Sequence, residues 1–252
     1  MLSLSSGSTL KCDIFDDQWF YLGKLLTCRI DNQTVISENT SIKNLLDFTV
    51  KSVDLSNNSN VKFIPFKIAK TFPLVILIRV SQTSVEFIGR NHFKDLCELR
   101  LLYLSSNKIE KIEEGAFSDN SKLEVIDLYN NKIKYISEQT FTDLHNLKEL
   151  HLNNNQIRFI EYRTFRTLTS LQILALEHNQ LEEIEANLLK TNRNILEIRL
   201  NENKLKLVNS KMFNNLKKLK IIDFEGNNCI SDVFLKESFD AMKLELRENC
   251  SA

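Results

Sequence analysis

Six segments of the chain fall into register at a constant step of 24 residues. They are LRLLYLSSNKI from Leu99, LEVIDLYNNKI from Leu123, LKELHLNNNQI from Leu147, LQILALEHNQL from Leu171, ILEIRLNENKL from Ile195 and LKIIDFEGNNC from Leu219. Two weaker units precede them, VILIRVSQTSV from Val75 and VKSVDLSNNSN from Val50, the latter with one extra residue. A fixed period of this length constrains the fold more than any single motif does. Each unit is one small element that cannot bury its own apolar edge, so stability must come from stacking neighbours into a solenoid.

Within a unit, positions four and six alternate toward the interior and form a short strand whose copies stack in parallel. Position nine is a column of Asn58, Asn107, Asn131, Asn155, Asn179, Asn203 and Asn227, with Thr83 substituting once. Where the chain leaves each strand, backbone groups would be stranded inside. A carboxamide carries two donors and an acceptor, so it can satisfy the backbone of its own and the adjacent coil. These asparagines are therefore structural rather than catalytic. In the run Asn153, Asn154, Asn155, only Asn155 belongs to the ladder, and the other two lie on or beside the exposed face. Turns made this way account for a chain with only 5 Gly and 2 Pro. A second phased set, Ile88, Ile112, Ile136, Ile160, Ile184 and Val208, then Phe93, Phe117, Phe141, Phe165, Leu189 and Phe213, fills the opposite side of the coils.

Each unit reads L-x-x-L-x-L-x-x-N-x-L and resembles the extracellular 24-residue leucine-rich repeat, from roughly Cys12 to Cys250. The resemblance implies an α/β solenoid: a leucine-rich repeat horseshoe with a parallel concave β-sheet, an irregular convex side and disulfide-bonded end caps. On this reading residues 1–11 are a disordered or appended start, and 12–49 an N-terminal cap. Residues 50–228 hold eight repeats starting at 50, 75, 99, 123, 147, 171, 195 and 219, and 229–252 a C-terminal cap. Phase places Cys28 and Ile30 inward on a capping strand, and an amphipathic helix is expected through Val233, Phe234 and Phe239. The bridges Cys12–Cys28 and Cys229–Cys250 look like amino- and carboxy-terminal caps of this family, each contributing about 3 kcal/mol by loop closure. The cap CDIF…FYLGKLLTC and the two-cysteine carboxyl end are similar to arthropod secreted repeat proteins and Toll-related ectodomains.

Paired cap cysteines imply an oxidising compartment, hence an extracellular protein, secreted or an ectodomain. Glycosylation acceptor sequences agree at Asn32, Asn39 and Asn57, and a poorer one at Asn249 adjoins a bridged cysteine. The amino end shows no apolar region of signal-peptide length, so a signal would be absent from this chain. Its longest apolar run, Leu74 to Ile78, is too short to cross a bilayer. Cys97 is left over, in the phase of Ser121, His145, Thr169, Arg193 and Lys217. It is either a tucked-in free thiol or the site of an interchain disulfide, which would make a homo- or heterodimer.

No motif for phosphate, dinucleotide, zinc or nucleophilic chemistry is present, and His92, His145, His151 and His178 fall in different phases. An acidic edge of Glu177, Glu202 and Glu225 reads as a solvated face rather than a metal site. No enzyme activity, cofactor or metal is expected. Lys+Arg and Asp+Glu are 33 each, so net charge calls for neither nucleic acid nor an anionic membrane.

What remains is the concave sheet, where positions three, five and seven point outward. The candidate partner-binding residues are Arg79, Leu101, Tyr103, Val125, Asp127, Tyr129, Glu149, His151, Asn153, Ile173, Glu177, Arg199 and Asp223. An exposed apolar column at position three suits a partner surface, although strands favour such residues anyway. Tyr103, Tyr129 and His151 lie on three adjacent coils, residue types that anchor interfaces. The resemblance implies a recognition module for a protein or glycoconjugate. The rival is a structural, self-associating matrix or adhesion scaffold.

Overall fold

The computed structural model describes residues 50–251 except 67, with backbone strands at 9–10, 13–19, 23–29 and 41–42 and the side chains of 25–29. Eight three-residue strands, from Ser52–Asp54 to Ile221–Asp223, run parallel in one sheet, each paired with the coil before it. The register follows the period, for example Val125 opposite Leu101 and Glu149 opposite Val125. The strand Gly23–Arg29 extends the sheet with Cys28 opposite Val53, and Asp13–Trp19 closes it antiparallel.

Three residues past the end of each strand the chain turns through a left-handed residue. Asn57, Gln82, Ser106, Asn130, Asn154, His178 and Glu202 have φ between 53 and 60, and Gly226 has φ 70. Each immediately precedes a ladder position. Asn154 therefore has its own task, which the sequence reading left open: it tolerates the left-handed turn that delivers Asn155 inward. His178 sits in the same conformation and is exposed; its N–H donates to the Asn201 carbonyl at 3.0 Å, but its imidazole makes no hydrogen bond among the described residues. His178→Gly is expected to raise stability by about 0.5–1 kcal/mol, read as a higher urea midpoint at constant slope. A lower midpoint would show that the imidazole does something the coil needs.

The ladder side chains Asn107, Asn131, Asn155, Asn179 and Asn203 are 6–8% exposed and repeat one pattern. Asn131 Nδ2 donates to the carbonyls of Leu104 and Leu128, both at 3.0 Å, and its Oδ1 accepts from Ile109 N–H at 3.0 Å. Asn227, in the last coil, is only part-buried. Thr83 donates its hydroxyl to Asn107 Oδ1. On the convex side Phe93, Phe117, Phe141 and Phe165 stack with centroids 5.8, 6.2 and 6.3 Å apart. Two further buried asparagines escaped the sequence reading. Asn120 donates to the carbonyls of Phe93 and Leu96, and Asn192 to those of Phe165 and Leu168. Beside the column, burial pushes His92 down to about 4 against a weaker pull from Glu113, and its Nδ1 accepts from Gly89 N–H.

At the carboxyl end the expected helix is corrected. Val233–Leu235 is a strand antiparallel to Ile221–Asp223, and the helix begins at Phe239 and runs to Asn249. β-Branched Val233 and aromatic Phe234 suit a pleated edge, and Phe234 plugs the last coil at 5% exposure. Met242 and Leu246 bury the helix against that end, and the Cys229–Cys250 disulfide ties it back. At the amino end Cys28 is buried and disulfide-bonded. Cys12, Ile30, Asn32 and Asn39 lie outside the described residues. Among the described residues no helix is long and apolar enough to cross a membrane.

The concave face as candidate recognition site

The middle residue of each strand points inward: Ile126, Leu150 and Leu174 are at most 1% exposed. Its two neighbours therefore point to the concave side. Leu101 and Val125, expected there as exposed apolar residues, are instead 4% and 7% exposed. With Leu77 and Leu25 they form a second small core, against which Ile76 and Tyr103 pack. The cause is geometric. Neighbouring strands lie about 4.8 Å apart, so branched side chains in one register cover each other. Leu25, from the capping strand, seals the end of the row. Ile173 and Ile221 are half-buried.

A shallow depression of about 450 Å³ opens over the middle of this sheet, lined by Tyr103, Val125, Asp127, Tyr129, Glu149, His151 and Asn153. All seven were legible from phase alone. Tyr129 is 40% exposed at its centre. Asp127 Oδ1 accepts from Tyr129 N–H at 2.9 Å, which holds the turn that presents the ring. His151 Nε2 lies 3.2 Å from Glu149 Oε2. Toward the amino end, the Arg79 guanidinium sits 5.7 Å above the Tyr103 ring. It lines a second, polar depression of about 320 Å³ with Ser56, Asn57, Ser81, Gln82 and Ser105. Asn57 and Gln82 were not singled out for this face, because their part in it depends on the left-handed turn; Ser56 shares the phase of Ser81 and Ser105.

Toward the carboxyl end Glu177 is 8% exposed. Arg199 bonds Glu197 at 2.5 Å and reaches Glu177 only at 3.9 Å. Asp223 is half-buried, its Oδ1 accepting from Glu225 N–H. Along the flank, burial raises Glu124, but hydrogen bonds from Lys148 and Arg100 outweigh it and hold the carboxyl below its usual range. The described residues contain no set of three His, Cys, Asp or Glu placed to hold a metal ion. Cys97 is a free, exposed thiol, so the tucked-in reading gives way. Its phase is polar and solvent-facing in every later coil. A larger depression of about 690 Å³ lies off this face among Phe66, Ala69, Lys70, Pro73, Asn91, Lys94 and Asp95.

The leucine rich repeat model matches residues 97–157, 121–181, 145–205 and 169–229, together more than half the chain. No match is found among curated proteins. Among solved structures, TLR13 in its complex with ssRNA13 is similar at 25% identity and a TM-score of 0.67, over 71% of this chain and 25% of that one. Toll, in the Drosophila Toll–Spatzle complex, is similar in fold at 18% identity and a TM-score of 0.60, over 75% of this chain and 30% of that one. The chain thus spans less than a third of the length of either. With the repeat matched over most of its coils, the ladder in place and the concave sheet built from it, the chain belongs to the leucine-rich repeat family.

Proposed function

We propose that the protein is an extracellular recognition module that binds a protein or glycoconjugate partner on its concave face, in innate immunity or cell-surface signalling. The observation that carries this reading is the depression around Tyr129. Residues from three adjacent strands converge there, and a large aromatic stands 40% exposed beside carboxylates and an imidazole. Exposed aromatics at the centre of a concave polar site are where binding energy concentrates. Likeness to TLR13, solved in complex with ssRNA13, supports a recognition role. The Cys229–Cys250 bridge supports an oxidising compartment, with Asn32, Asn39 and the exposed Asn57 as glycan acceptors.

The test is a screen of the protein, secreted from eukaryotic cells, against arrayed extracellular proteins and glycans, with hits repeated on Tyr129→Ala. Affinity is expected to fall about tenfold or more, since anchors of this type contribute roughly 1–2 kcal/mol or above. The melting midpoint should stay within about 1–2 °C, as an exposed ring on a strand end packs little. Unchanged affinity would sink the concave-face reading. The exposed Cys97 favours one second reading, a self-associating scaffold. Intact mass under non-reducing conditions separates the two: a Cys97-linked dimer supports the scaffold, and a monomer with a free thiol does not.

A further inference from the structure

The concave face is strongly polarised in charge. From the Val125–Asp127 strand onward it presents Asp127, Glu149, Glu177, Glu197 and Asp223, against a single arginine, Arg199, bonded to Glu197 and only 3.9 Å from the other oxygen of Glu177, Oε1. Acidic side chains alone make no site, but two buried atoms here lack what they need. Glu177 Oε2 is buried without a hydrogen-bond partner, in a side chain that is 8% exposed. Asn153 Oδ1, at the same position of the preceding coil, is also buried and unpartnered. The two coils are locked together there, Asn154 N–H donating to the Glu177 carbonyl at 3.0 Å. Two adjacent acceptor atoms without donors, one on a carboxylate whose other oxygen has a long 3.9 Å ion pair, cost free energy until a donor arrives, and a cationic donor gains most.

We infer, building on the concave-face reading, that the partner presents a basic peptide segment whose lysine or arginine heads seat on Asp127 and on the Glu177–Asn153 pair. Tyr129 adds a ring face to the first seat, and cations pair with aromatic faces as Arg79 does with Tyr103. The spacing fits an ordinary peptide. The midpoint of the Glu177–Asn153 pair lies one and a half coils and two strand residues from Asp127, about 10 Å. A polyproline II segment repeats one face every third residue, about 9 Å along its axis. Basic residues three apart therefore match the two seats. A polyanion such as single-stranded RNA meets like charge across the same surface.

The experiment is selection of random dodecapeptides displayed on phage against the immobilised wild-type protein, repeated on Asp127→Asn/Glu177→Gln and on Tyr129→Ala. Asp127→Asn keeps the Oδ1 acceptor for Tyr129 N–H, both changes keep the side-chain volume, and unchanged melting confirms folding. Wild-type selections are expected to enrich Lys and Arg at least threefold at positions three apart, and the double variant should lose that enrichment. Selections without basic enrichment, or basic enrichment that survives the double variant, overturn the inference. Peptides of any other charge, or an RNA oligonucleotide, that need Tyr129 would overturn it while leaving the concave face as the binding surface. Peptides indifferent to Tyr129→Ala would sink both.

Discussion

Phe141→Ala is expected to cost about 3–5 kcal/mol, seen as a large fall in the urea midpoint. Phe141 is fully buried, with ring neighbours Phe117 at 6.2 Å and Phe165 at 6.3 Å. Truncation removes a ring from the middle of a column, so both flanking rings lose a packed face as well. The void cannot collapse easily. The sheet register on one side and the asparagine ladder behind it fix the distance between coils, and close-packed interiors relax only partly around a lost side chain. The same column holds Leu189 two coils on, so Phe141→Leu should cost much less, about 1–1.5 kcal/mol. A loss below about 1 kcal/mol for Phe141→Ala would mean that the stack is not what holds the convex side together.

The column was legible in the sequence for the reason the whole fold was. A solenoid's main contacts join residues one period apart, so spatial neighbours are also neighbours in phase. Phe117, Phe141 and Phe165 touch because they are 24 apart, and the lining of the Tyr129 depression follows from the same arithmetic. What phase could not show depends on more than one coil or lies where the period stops. Leu101 and Val125 are covered because branched side chains on successive strands, Leu77 among them, lie side by side in one register. Val233 and Phe234 lie beyond the last repeat, where apolar residues fit a helix or a strand until the open edge of Ile221–Asp223 decides. Asn120 and Asn192 did leave a signal. They are polar in a phase otherwise held by Leu96, Leu144, Leu168 and Leu216. A departure from the period inside the core means a backbone group to be satisfied, here the carbonyls one coil back.

Asn155→Ala is expected to cost about 3 kcal/mol or more, because three buried backbone groups lose their partner at once. Nδ2 donates at 3.0 Å to the carbonyls of Leu128 and Leu152, and Oδ1 accepts from Ile133 N–H at 3.0 Å. Two of these belong to the preceding coil, so the carboxamide both turns its own coil and fastens it to the one before. No water reaches the site readily, as Asn155 is 7% exposed, and alanine leaves all three groups unsatisfied. Asn155→Asp keeps the shape and the acceptor but loses both donors and buries a charge, so it should cost at least as much. The adjacent asparagines supply the control. Asn154→Ala puts an alanine in the left-handed turn and should cost about 1 kcal/mol. Asn153→Ala removes a side chain whose oxygen has no partner and should lie within about 0.5 kcal/mol of neutral. Urea midpoints of the three variants, measured side by side, test the assignment. Equal losses would mean that the run is a polar turn with interchangeable members. A steep rise from Asn153 to Asn155 means three identical residues hold three different positions: one on the concave face, one turning the chain, and one binding two coils together.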